Sequence, residues 1–144
     1  MITAFVNRKT GICRFGKLSF VGKIGIQNGS CRSEEGEYSM SYLDYEGNRI
    51  FYEETGEGKP LILLHGNTVS SKMLAPIIPL FSENHHVVTM DFLGCGQSDR
   101  VREWPTDLWY EWSKQVVALC VHLNFSKVDI IGCTTFFLLQ RKSG

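Results

Sequence analysis

Several side chains in this sequence could do chemistry if they met. Cys95 and Cys133 could offer a thiol to His65 or His86 as base, and Thr134 a hydroxyl. A second kind of chemistry needs only the backbone. His65-Gly66-Asn67, Asp91 to Arg100 (DFLGCGQSDR) and Gly132-Cys133-Thr134-Thr135-Phe136 each follow an apolar run. A glycine there lets the backbone turn sharply and leaves an N–H pointing into the crevice at a strand's carboxyl end, where open α/β sheets bind ligands. Gly94 and Gly96 make a tight loop, with Asp91 and Ser98 available to bond its backbone.

Taken singly, each signal has a plainer explanation. Buried cysteines act as small apolar fillers. His65 is expected to orient its loop, His85-His86 to sit in a solvated turn, and Trp104, Trp109 and Trp112 to pack a helix. Residues 56–60 (GEGKP) echo the end of a phosphate-binding loop, but no hydroxyl residue follows Lys59 and Pro60 removes a donor, so a turn is expected. Gly94-Cys95-Gly96 lacks the third glycine of a dinucleotide fingerprint.

The elements that must position these groups are legible from Met40 onward. MSYLDYEGNRIFYEE carries a hairpin signal, with its turn at Glu46-Gly47-Asn48. LILLHG (61–66), HVVTMDF (86–92) and KVDIIG (127–132) are continuous apolar runs, the pattern of strands buried on both faces. Residues 70–81 are expected to be helical, capped by Ser70 or Ser71, with Pro76 and Pro79 shortening or distorting the helix. Residues 105–124 give the clearest helix, with Thr106 as cap and Leu108, Trp112, Val116, Leu119 and Leu123 on one face. Strands alternating with helices imply a parallel sheet with crossover helices, hence α/β.

Composition sets the frame. The chain has 144 residues, 43% of them hydrophobic, which suits one globular domain. Net charge is zero but unevenly spread: residues 1–33 hold six basic residues and no acidic one. Residues 1–37 are glycine-rich and basic and form an expected poorly ordered extension, with Met40 as a candidate start. Residues 38–144 form the domain. The basic residues of the leader are unclustered and lack interleaved aromatics, so no nucleic-acid partner is expected. No apolar run approaches the eighteen or so residues of a membrane span, so no membrane partner is expected either. Five cysteines, an odd number without metal-ligand spacing, favour a reducing, cytoplasmic setting and no zinc site.

Taken in order, GNRIFYEETGEGKPLILLHGN, VVTMDFLGCGQSDR and VDIIGC resemble the N-terminal half of the α/β-hydrolase family, over residues 40–133. The resemblance implies an incomplete α/β-hydrolase sheet: an antiparallel hairpin edge, then parallel strands with crossover helices. It implies hydrolysis of an ester- or amide-type bond in a small-molecule substrate, with no cofactor. It places the backbone N–H groups of Asn67 and Thr135 in an oxyanion hole and Thr134 at the nucleophile position of the G-x-S-x-G elbow. His65, Gly66, Asp91, Gly94, Gly96, Ser98 and Gly132 become structural residues beside the site.

The sequence departs from the family pattern at this elbow. Thr134 replaces serine and Phe136 replaces the second glycine, where a benzyl group should oppose the tight turn. The family's acid and histidine follow the nucleophile, yet all four histidines here precede it. The resemblance therefore implies a truncated, catalytically incompetent chain, a half-enzyme completed by a second chain, or a non-catalytic binding module. Strand 127–132 would then keep an unpaired edge prone to self-association.

Overall fold

A computed structural model describes residues 2–7, 12–15, 18–20 and 39–132, the first three segments by their backbone. Strand β1 (Ile2–Asn7), β2 (Ile12–Phe15) and β3 (Leu18–Phe20) come first, then β4 (Ser39–Tyr45), β5 (Asn48–Thr55) and β6 (Lys59–Leu64). A 3-10 turn (Ser71–Leu74) and helix α1 (Ile78–Ser82) lead to β7 (His85–Met90), and helix α2 (Leu108–His122) leads to β8 (Lys127–Gly132). Among the described residues these strands form one open mixed sheet in the order β3-β2-β1-β8-β6-β7-β5-β4.

The centre of the sheet is parallel. β6 pairs with β7 and with β8 in the same direction, while β5 joins β7 antiparallel and β4 closes the hairpin onto β5. The continuous apolar runs are explained by cover on both faces. Ile62, Leu64, Val88, Met90, Val128 and Ile130 face α2, in a cluster with Trp112, Val116 and Leu119. Leu61, Leu63 and Val87 face the other way, beneath Leu74 and Ile78. Each such side chain contributes about 1.5–3 kcal/mol by leaving water, so this three-layer core positions everything that follows.

Several expectations change. The single helix over 70–81 is split into the 3-10 turn and a five-residue α1, because Pro76 and Pro79 each lack the N–H a continuous helix needs. Helix α2 starts at Leu108, and its cap is Asp107 rather than Thr106: the Asp107 carboxylate accepts from Tyr110 N at 3.1 Å. His85 and His86 are not a solvated turn but the first residues of β7. There His86 Nε2 meets Glu54 Oε2 at 2.8 Å. Residues 2–7, 12–15 and 18–20 of the basic leader form three strands, and the remainder of 1–37 lies outside the described residues.

The expected free edge at 127–132 is not found. β1 lies antiparallel along β8, from Ile2 opposite Ile130 to Phe5 opposite Lys127. A strand buried on both faces has backbone groups that must be paired, and β1 supplies the partners that β6 cannot reach.

Candidate active-site crevice

Parallel register puts the ends of three strands in one row. Leu64 stands opposite both Met90 and Gly132. The segments that follow β6 and β7, beginning at His65 and Asp91, therefore leave the same carboxyl edge at which Gly132 ends β8. Cys133, Thr134, Thr135 and Phe136 lie outside the described residues. The walls supplied by the other two strands are described in full.

Asp91 is the hub of this edge. It is buried, and its Oδ1 accepts from Ser71 N at 2.6 Å while Oδ2 accepts from Gln97 N at 2.8 Å. Its carbonyl accepts from Ser98 Oγ at 2.5 Å, and Ser98 Oγ accepts in turn from Phe51 N at 2.8 Å. Gly96 has φ +49, and a β-carbon there would overlap the Asp91 carboxylate. Gly94, at φ +87, lies under the Trp104 indole with no room for a side chain. Both glycines are thus required by backbone conformation and by close approach. One loop further, Arg49 N and Arg49 Nη2 both donate to Asp99, which holds that carboxyl below its usual range.

His65 is fully buried beside Asp91 and packs edge-on against Phe92 and Trp112. Phe92 N donates to His65 Nε2 at 3.2 Å, so that nitrogen carries a lone pair. The proton is therefore on Nδ1, which donates to Gly66 O at 2.7 Å. Burial lowers the His65 pKa below 6.5, outweighing the raising effects of Gly66 O and Asp91. The ring is a neutral bracket between two loops, and the 3.9 Å from Nε2 to Asp91 Oδ1 is not an ion pair.

His122 is also lowered below 6.5 by burial, and its Nε2 lies 3.0 Å from Tyr52 Oη. Groups whose folded pKa is depressed give their full stabilisation above the unfolded value and lose it as pH falls through the folded one. The urea midpoint should therefore decline as pH is taken from neutral to about 5, and less steeply in His65→Gln. Glu53, raised by burial, works in the opposite sense, so the comparison with His65→Gln isolates the histidine. An identical decline in both proteins would contradict the neutral bracket.

The crevice between these loops has a volume of about 390 Å³ and is lined by Asn67, Thr68, Val69, Cys95, Arg100 and Trp104, among others. Thr68 has φ +64, a rare conformation for a β-branched residue. Asn67 Oδ1 accepts from Thr68 N at 2.9 Å and Thr68 Oγ1 donates to Asn67 O at 2.6 Å, which hold that bend. The backbone N–H of Asn67 meets no acceptor among the described residues. Arg100 Nη1 donates to Gly94 O at 2.7 Å. Cys95 and Cys120 are buried, and burial raises the Cys95 pKa, so it stays protonated filler. Among the described residues no three His, Cys, Asp or Glu side chains converge to hold a metal ion.

Of the residues singled out in the sequence, the structure brings together His65, Gly66, Asn67, Asp91, Gly94, Gly96 and Ser98 at this edge, with Gly132 at the end of the third strand. Trp104 belongs to the crevice, not to a helix. Two contributors were missed. Gln115 is buried on α2 and accepts from Leu93 N at 3.0 Å. Ser71 supplies a backbone N–H to Asp91. The signal for Gln115 was its place next to Val116 on an otherwise apolar stretch; Ser71 left none.

An open sheet with a parallel centre, helices on both faces and loops gathered at the strands' carboxyl ends defines an α/β fold with an edge-binding crevice. Residues 59–133 match the family of the alpha/beta hydrolase fold. This chain belongs to that family. It is 34% identical over 93 residues to (E)-2-((N-methylformamido)methylene)succinate hydrolase of Acinetobacter baylyi, covering 62% of this chain and 34% of that protein. It is 31% identical over 100 residues to a proline iminopeptidase of Heyndrickxia coagulans, covering 66% and 34% respectively. Among solved structures, an alpha/beta hydrolase fold protein from Burkholderia ambifaria superposes with a TM-score of 0.61 at 30% identity, covering 66% of this chain and 34% of that one. The chain thus spans about a third of the length of these relatives.

Proposed function

We propose that this chain forms the scaffold and the oxyanion side of an α/β-hydrolase site for ester- or amide-type substrates, and that the 144-residue polypeptide by itself is catalytically incompetent. The observation that carries the proposal is the state of His65. It is the one histidine at the crevice edge, and both ring nitrogens are engaged by backbone groups. His85 and His86 start a strand whose far end borders the crevice, and His122 ends a helix that runs back from it. Among the described residues no histidine at this edge is therefore placed to act as base, and without a base a hydroxyl is a poor nucleophile.

The strained bend at Thr68 supports an oxyanion role for the neighbouring N–H of Asn67, since backbone strain concentrates at functional sites. Thr135 N–H would be its counterpart across the crevice. The purified polypeptide should hydrolyse p-nitrophenyl acetate no faster than His65→Gln or Thr134→Ala variants do. Turnover that disappears in Thr134→Ala would refute the incompetent half-enzyme.

A second reading is that another chain supplies the acid and histidine. It predicts activity only in a complex. A binding module would instead show thermal stabilisation by ligand without hydrolysis. The buried Cys95 thiol supports a cytoplasmic setting, and no helix among the described residues is long and apolar enough to cross a membrane.

A further inference from the structure

A second pocket adjoins the crevice, with Trp104 as the wall they share. Its volume is about 190 Å³, and it lies between the β4–β5 turn, the segment ending at Pro105 and the first turns of α2. A dry cavity of roughly 150 Å³ takes benzene, so this pocket suits an organic molecule slightly larger than that. Its floor presents donors. Trp112 and Gln115 are each 1% exposed and stand at i and i+3 on α2, so they are neighbours on one helix face. Leu93 N donates to Gln115 Oε1 at 3.0 Å, which turns the amide NH2 away from that bond. Neither this NH2 nor the Trp112 indole N–H meets an acceptor among the described residues. Neither is sealed in, as Thr89 Oγ1 and His122 Nδ1 are. Both residues line the pocket, so both donors open onto it.

The mouth of the pocket is acidic. Glu46 and Glu103 line it, are exposed, and meet no cation among the described residues. Glu111 also lines it, but Tyr45 Oη donates to its Oε1 and Lys114 Nζ pairs with its Oε2. No Lys or Arg is among the lining residues. We propose that this pocket binds a short amino amide, carbonyl end inward and ammonium end at the mouth. A carbonyl oxygen has two lone pairs and can accept from both buried donors. It must be neutral, because a carboxylate there would stand among three others. The methylene chain lies beside Leu93, Val101 and Leu108. At the mouth the ammonium meets the two unpaired carboxylates and the Trp104 ring, whose face attracts cations. The site is distinct from the crevice and does not depend on its proposed activity.

Three probes test the site on the full-length protein by NMR titration of its indole N–H signals. 5-Aminopentanamide carries both recognised ends. Hexanamide replaces the ammonium with a methyl group, and pentylamine lacks the carbonyl. 5-Aminopentanamide should bind in roughly the millimolar range, as a small ligand in a pre-formed pocket does, and should move the Trp112 indole N–H signal. The other two should bind at least about fivefold more weakly. Glu46→Gln combined with Glu103→Gln changes only exposed side chains. It should weaken 5-aminopentanamide by about fivefold and leave hexanamide unchanged. An unmoved Trp112 signal, or equal binding of all three probes, would overturn the site. Pentylamine binding as tightly as the amide would remove the carbonyl contact on which the proposal stands. A double variant that binds 5-aminopentanamide as the parent does would overturn the acidic mouth. Comparing probes on the unaltered protein keeps the floor testable without substituting Gln115, whose loss would also release Leu93 N.

Discussion

Asp91→Ala should lower the unfolding free energy by about 3–5 kcal/mol, a large share of the 5–15 kcal/mol typical of a domain. The deletion strands two buried donors, Ser71 N and Gln97 N, which now meet the carboxylate at 2.6 and 2.8 Å. An orphaned buried N–H costs about 1–3 kcal/mol, and more when its partner was charged. Asp91→Asn keeps one acceptor oxygen and turns an NH2 toward the other donor, so about half the loss is expected. Ser98→Ala should cost less, about 1–2 kcal/mol, because it removes one hydroxyl between Phe51 N and the Asp91 carbonyl. Urea denaturation at neutral pH orders the three variants. An Asp91→Ala protein within 1 kcal/mol of the parent would mean that the hub does not hold the loop.

Trp112→Ala is the second large effect, at about 3–5 kcal/mol. Its ring is 1% exposed and stacks on Phe92 with centroids 4.4 Å apart and planes 5° from parallel. Trp109 meets it edge-on at 5.5 Å and His65 at 6.3 Å. An alanine there opens a cavity under the loop that carries Leu93 and Cys95, and the surroundings collapse only in part. Trp104→Ala is the control of equal chemistry. That residue is 58% exposed and lies over Gly94, so its loss should cost under about 1.5 kcal/mol. Thermal unfolding of both proteins would separate them, and equal shifts would contradict the packing described here.

The parts of the fold that were readable from the sequence are those decided by local pattern. LILL, VVTM and VDII are apolar on consecutive residues because β6, β7 and β8 are covered on both faces. The loop around Asp91 was readable because Gly94 and Gly96 are demanded by positive φ within a few residues of the groups they serve. Non-local pairing was not readable. β1 meets β8 across the whole chain, and neither segment carries a mark of the other. His65 was expected to orient its loop, and its tautomer follows only once Phe92 N is known to point at it. Likewise Tyr45 donates to Glu111 Oε1 at 2.8 Å across 66 residues, a bond no spacing rule could disclose.

The pairing of Ile2 with Ile130 also sets an order of events during synthesis. The ribosome delivers the first partner 128 residues before the second. At 5–20 residues per second the N-terminal strand waits roughly 6–25 s for its mate. Hairpins close in microseconds, so β1 with β2 and β4 with β5 can pair as they emerge while the other edge of β1 still lacks β8. A strand made early thus completes its place late, and a molecular chaperone has that interval in which to hold its open edge.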